Sequence, residues 1–259
     1  MKKNVARMKQ IIEVLQKRRS VPIKELARQL DVSCMTIRRD IEVLSDRNIL
    51  MNVRGLAMLN SQFDAASDDW HYSLQLAKNL RLKEKERIGA YAASLLEEDD
   101  CIIIDNGTTT ERLARNIAAG LKITVLTTNL NIMNCLCNNP NVSLILSGGY
   151  FHKDTSLFES PEGVSLINKT RANKVFVSTS GVHRTMGVTC ANSNEMTIKK
   201  AILESGAKRI LLTDSSKFGI VRTTFFAKLE DFDKIITDRN LPGEWVDIIQ
   251  DMKIELVTL

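Results

Sequence analysis

Residues 23–44, IKELARQLDVSCMTIRRDIEVL, decide how the first part of the chain is read. Ile23, Leu26, Ala27 and Leu30 recur at the i, i+3, i+4, i+7 spacing of a helix with one buried face, and Pro22 suits that helix's first turn. Asp31-Val32-Ser33 then makes a tight turn in which Ser33 is a natural N-cap. The helix that follows buries Ile37, Ile41 and Leu44 and projects Arg38 and Arg39. Two short helices joined by so tight a turn form a helix-turn-helix.

Upstream, residues 3–17 place Val5, Met8, Ile12 and Leu15 on one helical face with Ile11 alongside. Downstream the period changes to two. Ile49, Met51 and Val53 alternate, Gly55 permits a turn, and Leu56 to Leu59 return as a second strand. Such a hairpin is the wing of a winged helix-turn-helix. A domain of this kind delivers short side chains from the start of its third helix into the major groove while cations hold phosphates on either side. The candidate DNA-contacting residues are therefore Ser33, Cys34, Met35 and Thr36, with Arg38, Arg39 and the wing residue Arg54. Thr36 and Arg38 are expected at the groove or its phosphates, and Arg39 and Arg54 at the backbone. The competing reading of Arg38 is a surface pair with Glu42, worth only about 0.3–0.5 kcal/mol.

Charge supports a polyanionic partner for this segment alone. Residues 1–60 hold 13 Lys and Arg against 6 Asp and Glu, a net of +7, whereas the whole chain carries +5, so the rest is slightly negative. At 259 residues the chain has room for a small domain and a larger one. Five scattered cysteines, of which Cys135 and Cys137 are the one close pair, lack the spacing of a zinc site and suit reduced thiols, so neither a metal nor another cofactor is expected. No apolar run approaches a membrane span, and MKKNVARMKQII has no signal-peptide character, which points to the cytoplasm.

Residues 61–76 lose periodicity and carry several Asp, reading as a linker between a domain at 1–60 and another at 77–259. A long amphipathic helix is expected from Ala77 to Leu96. Seven strand-like runs then alternate with helical ones, at 101–105, 123–128, 142–147, 174–180, 209–214, 234–238 and 254–259. That alternation implies an α/β domain with a largely parallel sheet and a ligand site at the carboxyl ends of its strands.

Between the first of these strands and a helix expected to begin near Glu111 lies Asp105-Asn106-Gly107-Thr108-Thr109-Thr110. A glycine admits close backbone approach, hydroxyls donate, and a helix N-terminus presents free amides, which together make a phosphate cradle. No Gly-Lys-Ser/Thr follows, so it is neither a nucleotide-hydrolysing loop nor a dinucleotide fingerprint. The plainer reading is a strand-to-helix turn capped by threonines. Other strand ends carry Asn129, Gly148, Gly149, Gly181 and His183, while Glu195 and Lys199 share a helix face and Lys217 follows the strand ending at Asp214. Each has a bland reading as a cap, turn or surface pair, and their convergence on one sheet edge makes them candidate effector-binding residues.

The helix-turn-helix stretch resembles the signature of the DeoR family of bacterial transcriptional regulators, roughly ELA..L.VS..TIRRDL..L. Its wing departs from that family's usual Gly-Gly, reading Arg54-Gly55-Leu56. The resemblance runs on through DNGTTT, TTN, LSGG, SGVH, GVT, NEMTIKKA and DSSKFG, which look like the successive motifs of the family's sensor domain. It implies a winged helix-turn-helix followed by a larger α/β sugar-phosphate sensor domain, related in fold to ribose-5-phosphate isomerases. It also implies a repressor of a sugar or nucleoside catabolic operon, released from double-stranded operator DNA by a phosphorylated sugar. GVHRTMGVTCANSNE is similar to the deoxyribonucleoside-operon branch of the family, whose inducer is deoxyribose 5-phosphate. Two half-sites on DNA call for at least a homodimer.

The alternative from another class is a sugar-phosphate isomerase with an added DNA-binding domain. Ring opening and isomerisation need carboxylates, normally from an Asp-Gly-Ala-Asp stretch after the middle strand, and here the corresponding residues are Ser180-Gly181-Val182-His183. The expectation is a regulator without catalytic residues.

Overall fold

The computed structural model describes residues 2–18, 20–45, 50–53, 55–59 and 81–259. The chain divides into two compact units, Met1–His71 and Tyr72–Leu259. Arg54 and the expected linker at 61–76 lie outside the described residues.

In the first unit, α1 (Lys2–Arg18) leads into β1 (Ser20–Pro22), α2 (Ile23–Gln29), α3 (Cys34–Ser45), β2 (Leu50–Val53) and β3 (Leu56–Leu59). The strands form an antiparallel sheet in the order β1-β3-β2, so the wing gains a third strand, Ser20–Pro22, too short to show a period of two. Pro22 ends β1 and stands at the N-cap of α2 with extended backbone rather than inside its first turn. Ile11, Leu15, Leu26, Ile37 and Ile41 are fully buried together, with Leu50 from β2 and Ala57 from β3 closing the core. Leu50 lies out of phase with the expected alternation at 49, 51 and 53, and Ile49 is outside the described residues. A bidentate pair from Arg7 of α1 to the buried Asp40 of α3, at 2.5 and 3.1 Å, fixes the third helix against the first.

In the second unit the seven expected strands are β4 (Cys101–Ile104), β5 (Ile123–Thr127), β6 (Val142–Leu146), β9 (Ala172–Ser178), β12 (Gly206–Leu212), β14 (Lys234–Thr237) and β15 (Glu255–Thr258). All seven pair in one parallel sheet, in the order β15-β14-β12-β9-β4-β5-β6. Alternate residues of each strand feed opposite faces. Ile102, Ile104, Val125, Phe176 and Leu212 pack under α4 (Leu82–Ala93), α5 (Thr108–Arg115) and α6 (Leu130–Leu136). Ile103, Leu126, Val175, Val177 and Leu211 pack under α7 (Pro161–Lys169), α8 (Met196–Ser205) and α9 (Gly243–Asp251). The result is a three-layer sandwich. Gly89 of α4 lies against α5 so closely that a Cβ would come within 2.6 Å of the Arg112 carbonyl carbon.

Two antiparallel additions stand outside the main sheet: the hairpin β7 (Tyr150–His152) and β8 (Leu157–Glu159), and a three-stranded sheet of β10 (Gly181–His183), β11 (Gly187–Cys190) and β13 (Thr224–Ala227). From β4 the chain moves outward through β5 to β6, while β9 lies on the opposite side of β4 and the chain continues from it to β12. The β4–β9 boundary is therefore the topological switch point, where a crevice opens at the strand ends. Among the described residues no helix is long and apolar enough to cross a membrane.

Candidate effector site and DNA-contacting helix

The DNGTTT loop lies at this switch point. Gly107 N-caps α5 with extended backbone, so the helix begins at Thr108, a turn earlier than the expected start near Glu111. Glycine is required there by proximity, because a Cβ would overlap Ser178 Oγ and come within 2.6 Å of Ser178 Cβ at the end of β9. The hydroxyls divide their work. Thr110 donates back to the Gly107 carbonyl at 3.1 Å, while Thr108 and Thr109 line a cleft with Ser178 and Thr179 of the β9 end. Thr213 and Asp214 from the end of β12 form another wall, and Lys217, on the 3-10 turn Ser215–Lys217, faces the same space.

The remaining wall is Lys85 of α4, a residue that sequence reasoning missed. It is 3% exposed, on the same helical face as the buried Ile88 and Ala92. Burial pushes its ammonium down to about 8; Lys217 and Arg112 add repulsion and Asp214 partly opposes them. Two lysines, several hydroxyls and a helix N-terminus around one crevice suit an anion with several acceptor oxygens. A lysine on the apolar face of an amphipathic helix was the available signal.

Beside the cleft is a buried polar network. Lys199 of α8 donates to Asp105 Oδ2 and, at 3.1 Å, to the Ser178 carbonyl, with Glu195 Oε2 at 3.5 Å. Asp105 Oδ2 also accepts from the Ser178 amide at 3.0 Å. Glu195 accepts from Asn106 Nδ2 at 3.0 Å and from Asn192 Nδ2 at 3.2 Å. Burial pulls the Lys199 ammonium downward, but the Asp105 and Glu195 carboxylates more than offset it and the pKa is raised. Burial raises the Asp105 carboxyl against the opposing pull of Lys199 and of the Ser178 amide. Among the described residues, Asp105 Oδ1 and Asn106 Oδ1 are buried acceptors without a hydrogen-bond partner.

The other candidates are placed differently. Asn129 caps α6, its Oδ1 accepting from the amides of Asn131 and Ile132 at 3.0 and 3.3 Å, while its Nδ2 donates to the carbonyls of Thr155 and Ser156 at 2.9 and 3.0 Å. Its side chain is thus occupied in anchoring the β7–β8 hairpin. Gly148 and Gly149 hold positive φ at the β6–β7 connection, where a Cβ on Gly149 would strike the Glu159 carbonyl. Gly181 packs against the Ile220 carbonyl, and His183 Nδ1 accepts from the amides of Thr185 and Met186 at 3.3 Å within its own hairpin. None of these five lines the cleft, nor do Asp105, Asn106, Gly107, Thr110, Glu195 and Lys199; of the effector candidates, Thr108, Thr109 and Lys217 do. The hairpin does reach the network's edge, where His152 bonds Asn194, next to Glu195, at 2.9 Å.

In the first unit, Ser33 caps α3 as expected, accepting from the Thr36 amide at 3.1 Å, and its hydroxyl also pairs with that of Thr36 at 2.9 Å. Cys34 packs against the core, Met35 is exposed, and Arg38 and Arg39 are exposed on the same helix.

Comparison with known proteins agrees with this anatomy. Residues 7–63 match the DeoR-like helix-turn-helix domain and residues 80–239 the DeoR C-terminal sensor domain. The chain is 32% identical over 251 residues to the deoxyribose operon repressor of Escherichia coli (strain K12), covering 97% of each. It is 30% identical over 235 residues to the HTH-type transcriptional regulator GolR of Listeria innocua, covering 91% of each, and 28% identical over 248 residues to IolR of Bacillus subtilis, covering 96% of each. Among solved structures, ribose 5-phosphate isomerase A from Methanocaldococcus jannaschii is similar over 52% of this chain and 53% of that one, with 13% identity and a TM-score of 0.39. eIF2B delta from Chaetomium thermophilum is similar over 62% and 57%, with 16% identity and a TM-score of 0.45. A DeoR-like reader ahead of a DeoR-type sensor, matched over nearly its whole length by a named repressor, leaves one assignment: this chain belongs to the DeoR family of helix-turn-helix transcriptional regulators.

Proposed function

We propose that the sensor unit binds a phosphorylated sugar at the switch-point crevice and that binding releases the reader unit from operator DNA. The observation that carries this reading is the cleft in which Lys85 and Lys217 face Thr108 and Thr109 at the N-terminus of α5. A phosphate monoester would bring several acceptor oxygens and negative charge to those donors. The unpartnered acceptors Asp105 Oδ1 and Asn106 Oδ1 call for donors, and sugar hydroxyls are donors. Deoxyribose 5-phosphate is the first effector to test, since a relative covering nearly the whole chain is named as a deoxyribose operon repressor.

Turnover is not part of the proposal. The Ser180-Gly181-Val182-His183 stretch carries no carboxylate where the isomerase reading calls for one, and Glu195 is held by the amides of Asn106 and Asn192 and lies 3.5 Å from the Lys199 ammonium. The protein works in the cytoplasm, as at least a homodimer on paired half-sites. Thermal melting of the full chain with pentose and hexose phosphates tests the ligand class, because a ligand that binds only the folded state raises its melting temperature. The same mixtures assayed for isomerised product test the absence of catalysis.

A further inference from the structure

We propose that Met35 is the residue with which this regulator reads a thymine methyl group in its operator. The inference rests on the assignment of α3 as the major-groove helix and names what its first turn detects.

Of the four residues from the N-cap through the first turn of α3, three are committed to the protein itself. Ser33 Oγ accepts from the Thr36 amide at 3.1 Å, and the two hydroxyls pair at 2.9 Å. Those two groups therefore hold the turn closed. Cys34 packs its side chain on the core formed by α1, α2 and α3. Met35 is the large apolar side chain of this group, with 60% of its surface exposed, more than any other large hydrophobic in the described part of this unit.

The chemistry of the side chain limits what it can recognise. A thioether offers no N–H or O–H donor and only a weak acceptor, so Met35 cannot form the bidentate bonds that read guanine or adenine. It is long, unbranched and polarizable, and fits closely against small apolar groups. The one apolar group displayed by base pairs in the major groove is the C5-methyl of thymine. The N-terminal residues of a recognition helix are those that meet base edges, which puts Met35 in the required place. Water leaves both the thioether arm and the methyl when they meet, so contact is favourable without any hydrogen bond.

The test uses the full-length protein and a duplex which it selects from a random-sequence library. Each thymine of that duplex is replaced in turn by deoxyuridine, which removes the methyl and nothing else. At one thymine per half-site, affinity of the wild-type protein should fall about fourfold, equivalent to the roughly 0.8 kcal/mol of one buried methyl group. Met35→Ala should bind more weakly than wild type and show no further loss on the same replacement. Met35→Gln, of similar length, should behave likewise, with melting temperatures unchanged because the residue is exposed. If no thymine is sensitive in the wild type, or if both variants keep the sensitivity, the proposal is overturned. Failure to select any duplex would remove the assignment of α3, and the proposal with it.

Discussion

Lys199, midway along α8, bonds Asp105 at the end of β4, 94 positions earlier in the chain, with 1% and 0% of their side chains exposed. Two charges of opposite sign without solvent are tolerated because each has further polar partners: the Ser178 carbonyl and Glu195 for the ammonium, the Ser178 amide for the carboxylate. The pair ties a helix on one face of the sheet to the switch point itself. Replacing Lys199 by Met should leave two buried carboxylates without their cation and cost about 3–5 kcal/mol. Adding Asp105→Asn should return part of that loss, so urea unfolding of the single and double variants gives the coupling directly. Additive effects would show that the two groups do not depend on each other.

Lys85 makes the site sensitive to pH on the alkaline side. Its pKa in the folded chain is about 8, below the ordinary 10.5, so between those values the unfolded chain holds a proton that the folded chain has released. Stability of the ligand-free protein should therefore gain a contribution as pH rises through this window, and lose it again on return to neutrality. Ligand binding should run the opposite way. A phosphate in the cleft favours the charged ammonium, so affinity for the sugar phosphate should be full below about pH 8 and fall above it. Calorimetric titration from neutral to alkaline pH checks this, and Lys85→Met should abolish both trends.

Gly107→Ala should disable the sensor without disabling the reader. The added Cβ would overlap Ser178 Oγ and Cβ, which displaces either the start of α5 or the end of β9, and both line the cleft. Operator affinity should stay within about twofold of wild type while sugar phosphates no longer reduce it, which is the behaviour of a non-inducible repressor. Gly107→Asp should add electrostatic repulsion to the same overlap. Mobility-shift titrations with and without ligand report both quantities.

The parallel sheet was legible because strands buried on both faces read as unbroken apolar runs such as CIII and VFV. The β7–β8 hairpin and the β10–β11–β13 sheet were not, since three- and four-residue strands containing Gly, His and Thr offer too few positions for any period to show. Site residues separate along similar lines. The DNGTTT loop was legible as a strand-to-helix turn from its position, and Asn129, a candidate effector residue, caps α6, a role the sequence does not separate from ligand binding because an amide at a strand end has the same spelling in either. Lys85 was concealed in an ordinary helix; what makes it unusual is the desolvation imposed by α5 and the strand ends, which only tertiary packing supplies.

Arg38 and Arg39 are exposed on the helix assigned to the groove. Alanine at either should weaken operator binding more than tenfold at moderate salt and lower the slope of log affinity against log salt by about one for each phosphate that the variant leaves unneutralised. Folding should be untouched, since neither belongs to the core. Filter binding over a salt series measures slope and affinity together, and unchanged values for both variants would remove these arginines from the interface.

The sugar, and not phosphate alone, should drive release. By linkage, a ligand that lowers operator affinity by some factor must itself bind the DNA-bound protein more weakly by that factor, and useful switching needs about 1–3 kcal/mol of such coupling. Inorganic phosphate can fill the space between Lys85, Lys217 and the start of α5, but it cannot reach the unpartnered oxygens of Asp105 and Asn106 with sugar hydroxyls. Those two residues touch Lys199 and Glu195, so a sugar that bonds them engages α8 as well as the strand ends, while phosphate engages the cleft alone. Operator affinity should therefore fall at least fivefold with saturating deoxyribose 5-phosphate or a related sugar phosphate, and by less than twofold with inorganic phosphate. Asn106→Ala should retain phosphate binding and lose most of the sugar's effect. If phosphate alone releases DNA as well as the sugar phosphates do, the network beside the cleft has no part in signalling, and if affinity rises with sugar phosphate, derepression is the wrong direction.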